Sequence, residues 1–281
     1  MIITADEKRR ISQMLLAQPI GIPVFHAVAL RLQQMMNDNS YRIEEAIKLV
    51  NEDPSLSAEM LKQANTTYYS GKVPITTIKN AIVRLGSQQI VNLAFTASMV
   101  DSRSDNQLVN KYMENLCHHS HVVAITSACL AVEFRNDNKA SEINPDEVYL
   151  AGLLHAVGKL HLLKSMDRLF KAGRLQSEPN FIDEIIREHN TSQGIKVMQH
   201  WNIPKIYINS VERHNAFNWK CGTNDYLVAA VRLSCKIHNH VTQGIELTET
   251  CEEFEQVKDE LTLLNIDDVT TVYDMVQAIS G

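Results

Sequence analysis

Apolar residues recur along most of the chain at the spacing of an α-helix. In Ile11-Ser-Gln-Met-Leu-Leu16 they fall at i, i+3 and i+4, on one helical face. Pro23 predicts the start of a second helix, with Val24, Val28, Leu32 and Met35 along a shared stripe. Ile43, Ile47 and Val50 continue the pattern at i, i+4 and i+7. Asp53-Pro54-Ser55 is a helix-start signal, since a short acceptor side chain and a Pro suit the first turn; it leads into Leu56, Met60, Leu61 and Ala64. Ser70-Gly71-Lys72 and Pro74 interrupt the chain, and a further helix is predicted through Ile78, Ile82 and Leu85, stopping at Gly86. Residues 88–100 predict another apolar helix.

Asp101 to Asn106 is a polar cluster between two apolar helices and is the predicted internal boundary. A long helix is predicted from about 107 to 134, then a polar loop from Arg135 to Asn144. Asn144-Pro145-Asp146-Glu147 combines a capping Asn, a Pro at the first position and acids in the first turn. Helices are predicted near 146–171, 179–200, 204–215, 224–242, 249–263 and 268–279. Strict strand alternation is rare, and there is no internal repeat or heptad run. The expected fold class is all-α: a two-lobed multi-helix bundle, with residues 1–103 as one lobe and 104–281 as the other.

Composition supports this reading. The 281 residues are 44% apolar and 21% charged, enough to bury a sizeable core. Only 10 Gly and 7 Pro leave few tight turns, which argues against a many-stranded β fold. The net charge of −6 excludes an overall basic footprint, and Lys8-Arg9-Arg10 is short and balanced by acids, so no nucleic-acid partner is expected. Five cysteines at 117, 129, 221, 235 and 251 have no CxxC spacing. Free thiols in a reducing cytoplasm are expected rather than a zinc-finger framework. The N-terminal MIITADEKRRISQ has no apolar core of a signal peptide, and no apolar run is long enough to span a membrane. There is no GxxxxGK[ST], GxSxG or Gly-rich dinucleotide motif, and Cys117 beside His118-His119 does not make a catalytic pair by adjacency alone.

Two stretches are more specific. One comprises Asp53-Pro-Ser-Leu56, Leu61-Lys-Gln-Ala-Asn65, Tyr68-Tyr69 and Ala81-Ile-Val-Arg-Leu-Gly86. The other comprises Gly152-Leu-Leu-His-Ala-Val-Gly-Lys159 and Trp201-Asn-Ile-Pro204. Together they resemble the HDOD family, regulatory relatives of the HD metal-dependent phosphohydrolases, from about Pro23 to about Val241. The resemblance implies an HD-like second lobe. A competent HD site uses a His, an adjacent His-Asp pair and a distant Asp around divalent cations, where carboxylates bridge the ions and a metal-bound water is activated.

On that resemblance, His119 matches the first His and His155 the second. Ala156 stands where the adjoining Asp belongs, and Cys235 where the distant Asp belongs. His189 and His214 match further histidines of related proteins. The implied vestigial pocket comprises His119, His155, Ala156, Lys159, His189, His214 and Cys235. The four histidines could hold a single divalent transition metal ion such as Zn, Ni or Fe, though no cofactor is required. Each reading has a structural rival. His119 and His155 could be hydrogen-bonded core residues. Lys159, one helical turn beyond His155, could bind an anion or be an ordinary surface lysine. His238 and His240 are two apart and are assigned no site. Asn65, Tyr68 and Tyr69 form either a helix end with packed rings or a recognition surface.

The expected function is a non-catalytic signalling or scaffold protein of bacterial kind that binds a partner protein or small anionic ligand. The rival is a metal-dependent phosphohydrolase acting on a nucleotide or other phosphoester. Catalysis is expected to be absent, because a metal-bound water without Asp at 156 and 235 has no carboxylate to take its proton.

Overall fold

The computed structural model describes residues 5–17, 26–38, 41–66, 73–100, 104–135, 144–175, 178–216, 219, 225–247 and 251–280. Pro23, Val24, Tyr68, Tyr69, the Ser70-Gly71-Lys72 break, Asp101 to Arg103, most of the loop before Asn144, and Cys221 lie outside them. The helices are α1 (Ala5–Leu16), α2 (Ala27–Asn37), α3 (Ile43–Asn51), α4 (Pro54–Ala64), α5 (Ile78–Leu85), α6 (Ser87–Val100) and α7 (Gln107–Arg135). There follow α8 (Pro145–Leu154), α9 (Val157–Lys171), α10 (Pro179–His200), α11 (Lys205–Arg213), α12 (Tyr226–Gln243), a 3-10 turn (Glu252–Gln256), α13 (Lys258–Leu264) and α14 (Val269–Ser280). No strand occurs among the described residues, so the all-α expectation holds. Among these residues no helix is long and apolar enough to cross a membrane.

The chain divides into two compact units: residues 1–114 with 157–204, and residues 115–156 with 205–281. The units interleave in sequence, and α7 contributes to both, whereas the sequence reading divides the chain once, at 103/104.

In the first unit, helix punctuation comes from the residues that made the sequence distinctive. Asp53 caps α4 by accepting the Leu56 N–H at 3.0 Å, with Pro54 in the first turn. That bond, with a 2.7 Å contact to His26 Nδ1, holds the Asp53 carboxyl below its usual pKa. At the other end of α4, Asn65 donates to the Leu61 and Ile75 carbonyls and accepts the Ile75 N–H. Asn65 thus ties the helix to the segment ten residues on, which is the structural role considered for it. Gly86 ends α5 at φ +87°, a conformation that favours glycine. Helices α2 to α6 pack on one another, while α9 and α10 pair closely and α1 lies on both.

The α9–α10 pairing depends on Gly158. A Cβ there would stand 1.9 Å from the Asn190 carbonyl oxygen and 2.7 Å from the Gly194 nitrogen. The same helix buries His161 with neither ring nitrogen hydrogen-bonded.

In the second unit, α12 is central: it packs against α8, α11, α13 and α14. Its Ala229, Leu233 and Ile237 join Val122 and Leu130 of α7, Val148 of α8, Leu261 and Leu264 of α13 and Val272 and Val276 of α14 in one core. Arg232 of α12 is buried. Its Nε donates to Glu260 Oε1 at 2.7 Å, its Nη1 donates to the Arg213, His214 and Ala216 carbonyls, and its guanidinium lies 4.7 Å from the Trp219 ring centre. Lys236 Nζ donates to the same Glu260 oxygen at 2.7 Å. One charged group therefore fixes the end of α11, α12 and α13 together.

Two expected elements are divided. The helix predicted near 249–263 is a 3-10 turn (Glu252–Gln256) followed by α13. The helix predicted near 146–171 is two helices, because the chain turns at His155 and Ala156. His155 Nδ1 donates to the Gly152 carbonyl at 2.5 Å. In a continuing helix that carbonyl would receive the Ala156 N–H. The side chain thus competes with the backbone at the break.

Two measurements check this account. Burial, with a smaller contribution from Arg168, pushes the His161 pKa down from 6.5 to about 4. The unfolded chain binds the proton first, so stability is complete above about pH 6.5 and is lost as pH falls toward 4. At pH 5 the loss is roughly 2 kcal/mol. His161→Leu is expected to flatten the fall in melting temperature between pH 7 and pH 5; parallel curves for the two proteins would sink this assignment. Glu260→Leu is expected to cost about 3–5 kcal/mol in denaturant unfolding, because Arg232 stays buried without its counter-charge. The double variant with Arg232→Met is expected to recover much of that loss, and no recovery would show that the pair does not act as a unit.

Candidate functional site

The site in the second unit begins with a close approach of two helices. A Cβ at Gly152 would stand 2.7 Å from Ala124 Cα and 3.0 Å from its nitrogen, so only glycine lets α8 lie this near α7. The contact brings His155, fully buried just beyond α8, alongside His119 of α7. Their Nε2 atoms are 3.2 Å apart, with ring centres at 5.1 Å.

Helix α12 supplies the remaining wall. Cys235 Sγ lies 3.5 Å from His119 Nε2. One turn further along, His238 Nδ1 lies 2.7 Å from His119 Nδ1. Ser127 of α7 fastens the two helices by hydrogen bonds to the Ala230 carbonyl and the Ser234 hydroxyl. Ligand atoms of His119, His155 and Cys235 all lie within 4.8 Å of one another, and this is the one such His, Cys or carboxylate group among the described residues.

With each ring neutral, one ordering of protons fits the hydrogen bonds along this row, which leaves the buried His238 Nε2 without a hydrogen-bond partner. His238 Nδ1–H donates to His119 Nδ1, His119 Nε2–H donates to His155 Nε2, and His155 Nδ1–H donates to the Gly152 carbonyl. Burial, and secondarily His118, push the His238 pKa down to about 4, so this ring is neutral near pH 7. His121, on the same helix as His118, is also pushed down by burial and then by His118.

The sequence-derived residues are thus placed as follows. His119, His155 and Cys235 come together, with Ala156 buried next to His155. His214 packs its ring edge-on to His155, with centres 5.0 Å apart. Its Nδ1 faces the Val211 and Ser210 carbonyls, and its Nε2 accepts from Asn215. His189 and Lys159 belong to the first unit. His189 Nε2 there stands 3.7 Å from Glu188, and Lys159 is half-buried on α9. His155 follows α8 and Lys159 lies on α9, so the two are not on one helix.

His238 is the residue that sequence reasoning missed. Its spacing from His240, two positions away, carries no signal, since residues two apart on a helix do not face each other. The informative partner was Cys235, three positions before it and therefore on the same face of α12.

The donor set decides which ions suit the site. No carboxylate belongs to the group, so hard ions such as Mg²⁺ and Mn²⁺ lack the oxygen ligands they prefer. Two imidazoles and a thiol suit a borderline ion. None of the described cysteines 117, 129, 235 and 251 is in a disulfide.

A family model described as the HDOD domain matches residues 22–217. An uncharacterized protein of Treponema pallidum (strain Nichols) is 22% identical over 202 residues, covering 69% of this chain and 37% of that protein. The chain therefore spans little more than a third of that relative's length. A solved structure from Shewanella amazonensis SB2B, provisionally named a metal-dependent phosphohydrolase, is 21% identical with a TM-score of 0.68, covering 98% of this chain and 99% of that one. An HDOD domain protein of unknown function from Geobacter sulfurreducens is 17% identical with a TM-score of 0.63, covering 98% of both chains. At these identities the solved structures establish the fold alone. Helix α12, with Cys235 and His238, lies beyond the matched stretch, but residues 22–217 take in both distinctive motif regions. The chain belongs to the HDOD domain family.

Proposed function

We propose that this chain is a non-catalytic HDOD module of bacterial, cytoplasmic kind, acting as a signalling or scaffold protein that binds a partner protein. The imidazole-rich pocket would be a remnant of an HD site, able to take a small anionic ligand or a single divalent transition metal ion such as Zn, Ni or Fe. The observation that carries this reading is the absence of a carboxylate from the His119–His155–Cys235 group. A family hydrolase relies on carboxylates to bridge its ions and to receive a proton from bound water. Here the two aligned positions hold Ala156 and Cys235, and neither side chain does that work at an oxygen. With chemistry removed, recognition remains.

The rival reading is a metal-dependent phosphohydrolase acting on a nucleotide or other phosphoester. The juxtaposed His119 and His155, and the provisional name of the Shewanella protein, favour it. The two are separated by turnover of a panel of nucleotides and phosphomonoesters with Mg²⁺, Mn²⁺, Fe²⁺ and Ni²⁺. No metal-dependent turnover is expected. Turnover that disappears in His155→Ala would overturn the non-catalytic assignment.

A further inference from the structure

We propose that Cys235 has turned the pocket into a thiolate–imidazole site for an ion of the Zn²⁺ class, held by His119 Nε2, His155 Nε2 and Cys235 Sγ and braced by His238. The proposal rests on the reading of this pocket as a non-catalytic HD remnant and specifies the ion that remnant would take.

Zn–N bonds of about 2.0–2.1 Å and Zn–S bonds of about 2.3 Å at tetrahedral angles give ligand edges of about 3.4 Å for N···N and about 3.6 Å for N···S. The structure has 3.2 Å between the two Nε2 atoms and 3.5 Å between His119 Nε2 and Cys235 Sγ. Two of the three edges among these side chains, which come from α7, α12 and the turn after α8, are therefore already at coordination spacing, and all three ligand atoms lie within 4.8 Å of one another.

His155 commits Nδ1–H to the Gly152 carbonyl, which leaves the Nε2 lone pair on the side of His119. His119 has an imidazole behind it, with His238 Nδ1 at 2.7 Å from its Nδ1. When Nε2 of His119 ligates an ion, its single proton resides on Nδ1 and is donated to His238 Nδ1. His238 then carries its own proton on Nε2. Each ring keeps one proton, and the thiol of Cys235 releases one to solvent as the thiolate forms. A metal-bound imidazole whose far nitrogen is held by an acceptor is the usual arrangement that fixes a ligand ring.

A thiolate and two neutral imidazoles match Zn²⁺ and its spectroscopic substitute Co²⁺, and disfavour Mg²⁺ and Mn²⁺. One thiolate against a divalent ion leaves one net positive charge. The fourth position therefore favours water or a small anion. His214 stays outside the set, because its two nitrogens face the 210–211 backbone and Asn215.

The test uses the full chain, stripped of metal by a chelator, and Co²⁺ as the probe. One equivalent is expected to give the intense visible absorption of tetrahedral cobalt together with near-ultraviolet thiolate-to-cobalt charge transfer. Zn²⁺ should abolish both, while excess Mg²⁺ or Mn²⁺ should not. Cys235→Ser should remove the charge-transfer absorption and weaken binding at least tenfold, whereas Cys251→Ser should leave it intact. His238→Phe should weaken binding roughly 10–100-fold and keep the charge transfer. Because Cys235 is buried, a second measurement avoids variants altogether: in the wild-type chain held in urea just below its unfolding transition, where local opening exposes buried thiols, Zn²⁺ should slow alkylation of Cys235 mapped by mass spectrometry. Absence of a tetrahedral spectrum, charge transfer that survives Cys235→Ser, or equal alkylation with and without Zn²⁺ would each overturn the assignment. Phosphoester turnover by the Zn²⁺-loaded chain would instead overturn the non-catalytic reading and leave the ligand assignment standing.

Discussion

The geometry of the pocket depends on the contact between Gly152 of α8 and the backbone of Ala124 in α7. A methyl group at 152 would occupy space already filled by a Cα atom, so the two helices can be this close only with glycine at that point. That separation sets how far His155 reaches toward His119. The carbonyl of the same glycine receives the His155 ring proton and ends the helix there. One residue thus fixes the interhelical distance, the orientation of the imidazole and the place where the chain turns. A few residues on, Gly158 performs the spacing task again, this time between α9 and α10 in the other unit.

Helix α12 carries the other part of the constraint. It is the strut around which the second unit is packed, and its side facing α7 presents Cys235 and His238. Arg232 anchors it through a buried carboxylate and three backbone carbonyls near the end of α11. The pocket is therefore walled by elements whose positions are set by packing and by a charge network, not by the histidines themselves. The imidazole cluster is therefore held in place with no carboxylate in the group.

Much of the fold was legible because helices announce their ends. Asp53 and Asn144 cap as their positions suggested, Gly86 terminates α5, and Asn65 closes α4. These effects are local, acting within a few residues, and a linear pattern captures them. The split between α8 and α9 was not legible, because it arises from a side chain bonding back to a carbonyl within an otherwise helical apolar run. Of the pocket, His119, His155 and Cys235 were recoverable from motif resemblance. His238 was not, because its significance comes from a partner on another helix, more than a hundred positions earlier in the chain. Spacing within α12 could have hinted at it, but only the packing of α7 on α12 makes the contact.

The recognisable family stretch ends at residue 217, while the second unit continues through α14. A chain ended there would satisfy the family description in full and would retain His119, His155 and His214. It would have lost the thiol, the imidazole behind His119, and the helix on which α8 and α11 rest. The segment by which relatives are detected and the segment that must fold as a unit are different cuts of this polypeptide. The portion left out of the first is the one that gives the pocket its sulfur.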